Sequence, residues 1–143
     1  MNIYKILPVV LLMLLTPLAS AELVIIANPN SGIERLTKSE VINIYLGRYR
    51  RLSTGSTAAP IDIANGEENK AMFYEQLVNK NLAEINAYWA RLVFSGKTRP
   101  PQQVDNAEDA LNIVANDTNA LAYVERSAVN SQVLIVFEWP PDE

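Results

Sequence analysis

Residues 87–101 read AYWARLVFSGKTRPP, and the letters SGKT within them look like the end of a phosphate-binding nucleotide loop. That motif reads G-x-x-x-x-G-K-[ST] and needs a glycine at position 91, where the chain has Arg91. A nucleotide loop also opens a helix, whereas this stretch follows a helical pattern and runs into two prolines. The stretch therefore predicts a helix end with Gly96 as a left-handed C-cap.

Basic residues accompany this helix end and an earlier one. Lys97 and Arg99 are placed to interact favourably with the negative end of the predicted helix dipole. The RYRR cluster at residues 48–51 has two interpretations. It is either an anion- or partner-binding patch, or a solvated loop that also compensates a helix end, which is the more ordinary arrangement.

The chain begins with the pattern of an export leader. Residues 1–21 combine Lys5, an apolar run from residue 6 to residue 15, and small residues up to Ala21. We expect cleavage after Ala21 and a periplasmic protein, because the apolar run is too short to span a membrane. The sequence contains no cysteine, which argues against a lipid-anchored lipoprotein.

The expected mature chain has 143 − 21 = 122 residues, which suits a single domain at residues 22–139 followed by a frayed tail at residues 140–143. It carries 11 basic and 16 acidic residues, so an acidic domain without a long basic tract is a poor candidate to bind nucleic acid or an anionic membrane. The absence of histidine and cysteine argues against an enzyme and against histidine or cysteine metal sites.

Hydrophobic patterns predict strands alternating with helices. The order is strand, helix, strand, three helices and two strands, at residues 22–29, 36–47, 59–65, 66–80, 81–94, 106–117, 120–124 and 132–139. Residues 95–104 between the third and fourth helices are predicted as a loop, and residues 59–65 as a half-buried strand. Such alternation favours an α/β fold, a three-layer sandwich with a mainly parallel central sheet.

Helix signals support these assignments. Thr37 with Glu40, and Asn81 with Glu84, have the spacing of capping boxes, and Asn106 can cap the last helix. Gly47 is placed to end the first helix.

Several other residues have two interpretations. Glu67 and Glu68 can form an acid pair or bind a cation, but they also suit the first turn of a helix, where carboxylates favour the dipole. Tyr88 and Trp89 can stack on a ligand, but their helical spacing beside apolar residues is more typical of a core.

Four stretches together resemble the periplasmic phosphate-binding proteins of ABC transporters. They are LTKSEVINIYLGRYRR, APIDIANGEENKAMFYEQLV, AEINAYWARLVFSGKTRPP and ALAYV, at residues 36–51, 59–78, 83–101 and 120–124. The resemblance implies the fold of one lobe of a type 2 periplasmic binding protein. The full-length relatives have two lobes with the ligand between them, and this chain is long enough for about one.

The chain departs from that family where the phosphate is held. Alignment on Phe73 sets Asn65 and Gly66 at the family's Asp-Gly, while residues 67–69 (Glu-Glu-Asn) replace Ser-Gly-Thr and Ile63 replaces an arginine. Asn119 and Ala122 replace two glycines of the last motif. Only Lys70 offers partial compensation for the added negative charge, so phosphate binding is expected to be weak or lost.

Two functions follow from this resemblance. The first is a solute-binding-like module for a small anion or polar solute, without cofactor or metal; each of its candidate residues also suits an ordinary turn or cap. These candidates are Asn30, Ser31, Asn65, Gly66, Asn69 and Lys70. The alternative is an accessory or interaction protein that presents the lobe to a periplasmic sensor or transporter component.

Overall fold

The computed structural model describes residues 22–64 and 67–139. The predicted leader, the predicted tail, Asn65 and Gly66 lie outside the described residues. The described part has five strands and four helices: β1 (Leu23–Ala27), α1 (Lys38–Tyr45), β2 (Ala59–Ile63), α2 (Glu67–Val78), α3 (Leu82–Ser95), β3 (Gln102–Val104), α4 (Ala107–Asn116), β4 (Ala120–Glu125) and β5 (Leu134–Glu138). A 3₁₀ turn, Arg126–Ala128, follows β4.

All five strands form one sheet in the order β3-β2-β4-β1-β5. β2 is parallel to both β3 and β4, whereas β1 is antiparallel to both β4 and β5. Four strands therefore run in one direction and β1 runs in the other. The predicted α/β fold with a mainly parallel sheet is confirmed.

Both faces of the sheet are covered. Every residue of β1 and the first five residues of β4 are buried, although successive side chains point to opposite faces. On one face, Tyr123 of β4 stacks on Phe73 of α2 with ring centroids 4.0 Å apart, and Tyr45 of α1 meets Phe73 edge-on at 4.7 Å. Helix α4 packs along β1, β2, β3 and β4 and supplies the buried Ala110 and Val114.

The short strand β3 lies within residues predicted as a loop, so that part of the prediction was wrong. Its sequence is QQV, and only Val104 is buried, so it carries no hydrophobic pattern of its own. The strand forms because it pairs with the edge of β2, from Ile61 opposite Gln102 to Ile63 opposite Val104. Non-local pairing therefore decides its structure.

The predicted helix caps are largely confirmed. Thr37 and Glu40 form the reciprocal capping box, and the Asn81 and Asn106 side chains accept hydrogen bonds from backbone N–H groups of α3 and α4. Gly96 ends α3 in the predicted left-handed conformation, with a φ of 69°. The second capping box is absent, because the Glu84 carboxylate pairs with Lys80 at 3.4 Å.

The loop after α1 is fastened to the end of α3. The Arg50 guanidinium donates to the Ile44 carbonyl at 3.0 Å and to the Arg99 carbonyl at 2.7 Å. The Tyr88 hydroxyl donates to the Leu46 carbonyl at 2.7 Å. Arg50 thus compensates the end of α1, as the more ordinary interpretation of the RYRR cluster predicts. Within residues 22–64 and 67–139, no helix is long and apolar enough to cross a membrane.

Candidate ligand-binding face

The topology of the sheet selects one end of it as the candidate site. Strands β2, β3, β4 and β5 all finish at this end, which we call the carboxyl end. The last residues of these strands are Ile63, Val104, Glu125 and Glu138. Ligands of open α/β sheets bind outside the carboxyl ends of the parallel strands, so this is where a ligand is expected.

Helix α2 begins at the carboxyl end, directly after β2. Glu67 and Glu68 lie in its first turn, as the helix interpretation predicts. The Asn69 side-chain amide donates to the Glu125 carboxylate at 3.0 Å, which joins the start of α2 to the end of β4. The amide of Asn69 is therefore already engaged, and the acceptor beside it is a carboxylate.

A carboxylate is buried just below this surface. Asp62 of β2 is 3% exposed, and the Tyr74 hydroxyl lies 3.0 and 2.9 Å from its two oxygens. The Tyr123 hydroxyl also hydrogen-bonds to Asp62 and accepts from the Ile63 backbone N–H at 3.2 Å. One acid on β2 is thereby held by one phenol from α2 and another from β4.

Burial controls the protonation of this cluster. Loss of water raises the pKa of Asp62, although the nearby positive charge of Lys70 and the two tyrosine hydrogen bonds partly oppose the rise. Burial, reinforced by the Asp62 charge, also raises the pKa values of Tyr74 and Tyr123 well above their ordinary value. Both phenols therefore keep their protons and serve as donors to Asp62.

Acidic groups dominate the charge at the carboxyl end. Arg126 is engaged by Glu22 at 2.7 Å and by Glu138 at 2.6 Å, and Arg35 and Lys38 line a groove beside Glu138. Lys70 makes no ion pair within the described residues, and it is the remaining cation at the start of α2. The carboxylates of this region are Glu22, Asp62, Glu68, Asp105, Glu125 and Glu138.

The predicted site residues do not all come together. Asn69 and Lys70 lie at the carboxyl end, whereas Asn30 and Ser31 follow β1, which runs in the opposite direction and ends at the other end of the sheet. In that loop the Asn30 backbone N–H donates to the Asn28 side chain at 2.8 Å, and the Ser31 hydroxyl accepts from the Ile33 N–H at 3.1 Å. Both are arranged as turn residues.

The alternating pattern of residues 59–65 does not identify Asp62 as a buried residue. Ile61 and Ile63 predict a strand with one solvent-exposed face, yet Asp62 between them is almost fully buried. The available signal was the predicted three-layer sandwich, because helices on both faces bury both sides of a central strand. Tyr88 and Trp89 are packed against the core, which supports the core interpretation over ligand stacking.

The described residues hold no cluster of three or more acidic side chains that could bind a metal ion. No family model matches the chain, and no curated protein is significantly similar to it in sequence.

Solved structures with the same fold carry phosphate-related descriptions. An ABC-type phosphate transport receptor from Vibrio cholerae matches 81% of this chain over 45% of its own, with a TM-score of 0.64 and 14% identity. A phosphate-bound protein from Clostridium perfringens, described as a phosphate ABC transporter substrate-binding protein, matches 81% of this chain over 44% of its own, with a TM-score of 0.64 and 17% identity. A protein from Planctomyces limnophilus, described as phosphate-binding, matches 75% of this chain over 36% of its own, with a TM-score of 0.55 and 15% identity.

This chain spans less than half the length of each of these structures. At such identities the likeness concerns the fold alone. The predicted resemblance is confirmed at that level: the chain folds like about one lobe of a phosphate ABC transporter substrate-binding protein.

Proposed function

We propose that this chain is an exported, single-lobe solute-binding-like module of the periplasm, with a binding face at the carboxyl end that holds phosphate weakly or not at all. The observation that carries the proposal is the acidic surroundings of the α2 start in a fold shared with phosphate-related proteins. Asn69 is bound to Glu125, and Asp62 is buried behind them.

Electrostatics argue against phosphate at this face. A like charge about 4 Å from a bound anion costs about 1–4 kcal/mol, depending on the local dielectric. The first turn of α2 carries Glu67 and Glu68 in sequence, and Glu125 stands beside Asn69. Lys70 is the cation left to oppose them, so the positive end of the helix dipole has little net attraction for an anion.

Chain length limits the affinity of any small ligand. Ligand pockets bury most of the bound molecule's surface, which a single flat face does not achieve. The chain covers 45% and 44% of two of the similar structures, and we propose that a second protein chain supplies the other wall. We infer that a small anion or polar solute is bound only with such a partner closing over the carboxyl end.

A thermal-shift comparison tests this proposal with the chain from Glu22 onward. Millimolar phosphate is expected to stabilise the protein no more than chloride does at equal ionic strength. Lys70→Gln should abolish any residual anion effect, whereas Lys80→Gln, at an exposed lysine beyond the other end of α2, should leave it unchanged. Clear stabilisation by phosphate that survives Lys70→Gln would overturn the proposed site.

The second candidate function is an accessory protein that presents the carboxyl end to a sensor or transporter component of the envelope. The observation in its favour is the ladder Glu22–Arg126–Glu138, which lines this end with partly exposed charges across β1, β4 and β5. A monodisperse chain that no small solute stabilises would favour this role. Stabilisation by a solute would favour the binding module, and neither role requires catalysis.

A further inference from the structure

Basic residues cluster in two segments of the chain, although its net charge is negative. Residues 46–61 contain Arg48, Arg50 and Arg51, and residues 85–104 contain Arg91, Lys97 and Arg99, yet neither segment has an acidic residue. The rest of the expected mature chain carries 5 basic and 16 acidic residues. These two segments, 36 of the 122 residues of the expected mature chain, thus hold 6 of its 11 cations.

These two segments form one surface, which we call the basic face (residues 46–51 and 91–99). The Arg50 guanidinium binds the Arg99 carbonyl at 2.7 Å, and a Cβ on Gly47 would lie 2.6 Å from the Thr98 hydroxyl oxygen. Among the described residues, ion pairs form only at Lys80 and Arg126. Apart from Arg50, which two backbone carbonyls hold, the cations of the basic face therefore remain available to an external anion.

An apolar groove borders the basic face. It has a volume of about 710 Å³ between α1, α2 and α3, with a floor that includes Leu46, Leu77 and Ile85. Arg48 and Arg91 line it, and the one carboxylate in its lining, Glu84, is paired with Lys80. The groove thus combines an apolar floor with two cations that have no carboxylate partner.

Phe94 stands beyond one end of this groove. Its side chain is 96% exposed, and the neighbouring Val93 is 54% exposed. Ala87 and Arg91 of α3 both line the groove. Because Phe94 follows them by seven and three residues, it lies on the same side of the helix, one turn further on. A protruding aromatic ring flanked by cations is typical of proteins that rest on a membrane surface.

We propose that the basic face binds the surface of an anionic phospholipid membrane, with Phe94 entering the interface and Arg48 and Arg91 meeting lipid phosphates. The headgroups of an anionic bilayer supply negative charge for the cations, and its acyl chains supply apolar contacts for the groove. The Phe94 ring can enter the bilayer interface without a preformed pocket. An acidic protein segment would satisfy the charges but would need a concavity for the ring. This face is distinct from the carboxyl end, so the inference does not depend on the proposed function.

Vesicle sedimentation tests this inference with the chain from Glu22 onward, which holds every described strand and helix and lacks the apolar leader. The protein should bind vesicles in which about a third of the lipid is phosphatidylglycerol and should not bind phosphatidylcholine alone. Binding should weaken as salt shortens the Debye length from about 10 Å at 0.1 M to about 3 Å at 1 M.

Variants separate the contributions. Phe94→Ser should weaken vesicle binding by about tenfold. The double variant Arg91→Gln, Lys97→Gln should weaken it at least as much. Two matched substitutions outside the basic face, Leu134→Ser and Lys38→Gln, should leave the affinity for vesicles within about twofold of that of the wild type. Unchanged thermal unfolding of Phe94→Ser would exclude misfolding as the cause.

Three results would overturn the inference. They are equal binding to neutral and anionic vesicles, no vesicle binding by the wild type, and vesicle binding that Phe94→Ser leaves unchanged. Retention on immobilised polyglutamate without vesicle binding would assign the basic face to an acidic protein instead.

Discussion

At the scale of single residues, the burial of Asp62 is the least expected feature of the chain. It is a carboxylate in a central strand, buried against aromatic side chains, without an ion pair among the described residues. Burying a charge is costly unless hydrogen bonds replace its water, and here Tyr74 and Tyr123 supply them. The stability of this cluster therefore depends on all three side chains together.

Removing the Tyr74 hydroxyl should expose that dependence. Tyr74→Phe removes the hydroxyl that lies 3.0 and 2.9 Å from the two Asp62 oxygens and is expected to lower the free energy of unfolding by about 1–3 kcal/mol in urea titrations. Tyr49→Phe is the control, because Tyr49 is 61% exposed and its loss should change stability by less than about 0.5 kcal/mol. Equal effects of the two variants would contradict this account of the cluster.

The raised pKa of Asp62 also predicts a pH dependence. Because the folded-state pKa lies above the unfolded one, the contribution of Asp62 to stability is complete below its unfolded value of about 3.9. It is lost as the pH rises through the folded value. The unfolding free energy of the wild type should therefore fall relative to that of Asp62→Asn as the pH rises above about 4. A relative gain by the wild type over that range would mean that the pKa is lowered.

At the scale of elements, the joint between the ends of α1 and α3 depends on one glycine. Gly47 has a φ of 67°, and a Cβ there would lie 2.6 Å from the Thr98 hydroxyl oxygen and 3.0 Å from the Trp89 ring. Both the backbone conformation and the close approach favour glycine. The same joint sets the position of Arg50 and of the basic face.

Gly96→Ala is a close control for Gly47→Ala. Gly96 has nearly the same φ, 69°, but no atom lies within 4 Å of its Cβ position. Both variants should pay about 1–2 kcal/mol for the left-handed backbone, and Gly47→Ala should lose roughly 1–3 kcal/mol more from the clash. Unfolding in urea measures the difference between the two variants. Equal losses of unfolding free energy would show that the Thr98 and Trp89 side chains shift aside without destabilising the protein.

The elements that sequence could predict are those with local signals. Thr37, Asn81 and Asn106 cap helices through contacts three residues away, so spacing alone identifies them. Strand β3 has no such signal, because its QQV sequence becomes a strand only by pairing with β2. The prediction of a half-buried strand, with Asp62 on its solvent-exposed side, was wrong for the same reason. The burial of the Asp62 side chain depends on helices that are distant in sequence.

At the scale of the whole molecule, the direction of β1 decides which residues can form a site. Its antiparallel pairing with β4 sends Asn30 and Ser31 to one end of the sheet, and Asn69 and Lys70 lie at the other. A hydrophobic run such as that of residues 23–27 predicts a strand but not its direction. The hydrophobic pattern therefore predicted helix α2, while the separation of Asn30 and Ser31 from Asn69 and Lys70 could be seen only in the sheet.

Calorimetric titration of the chain from Glu22 onward with phosphate tests the central claim most directly. The claim is that a fold shared with phosphate-related proteins here carries an acidic face that no longer holds the anion. We predict heats no larger than those of sulfate at equal ionic strength and no dissociation constant tighter than about 1 mM. A saturable site with a dissociation constant of about 1 μM would contradict it.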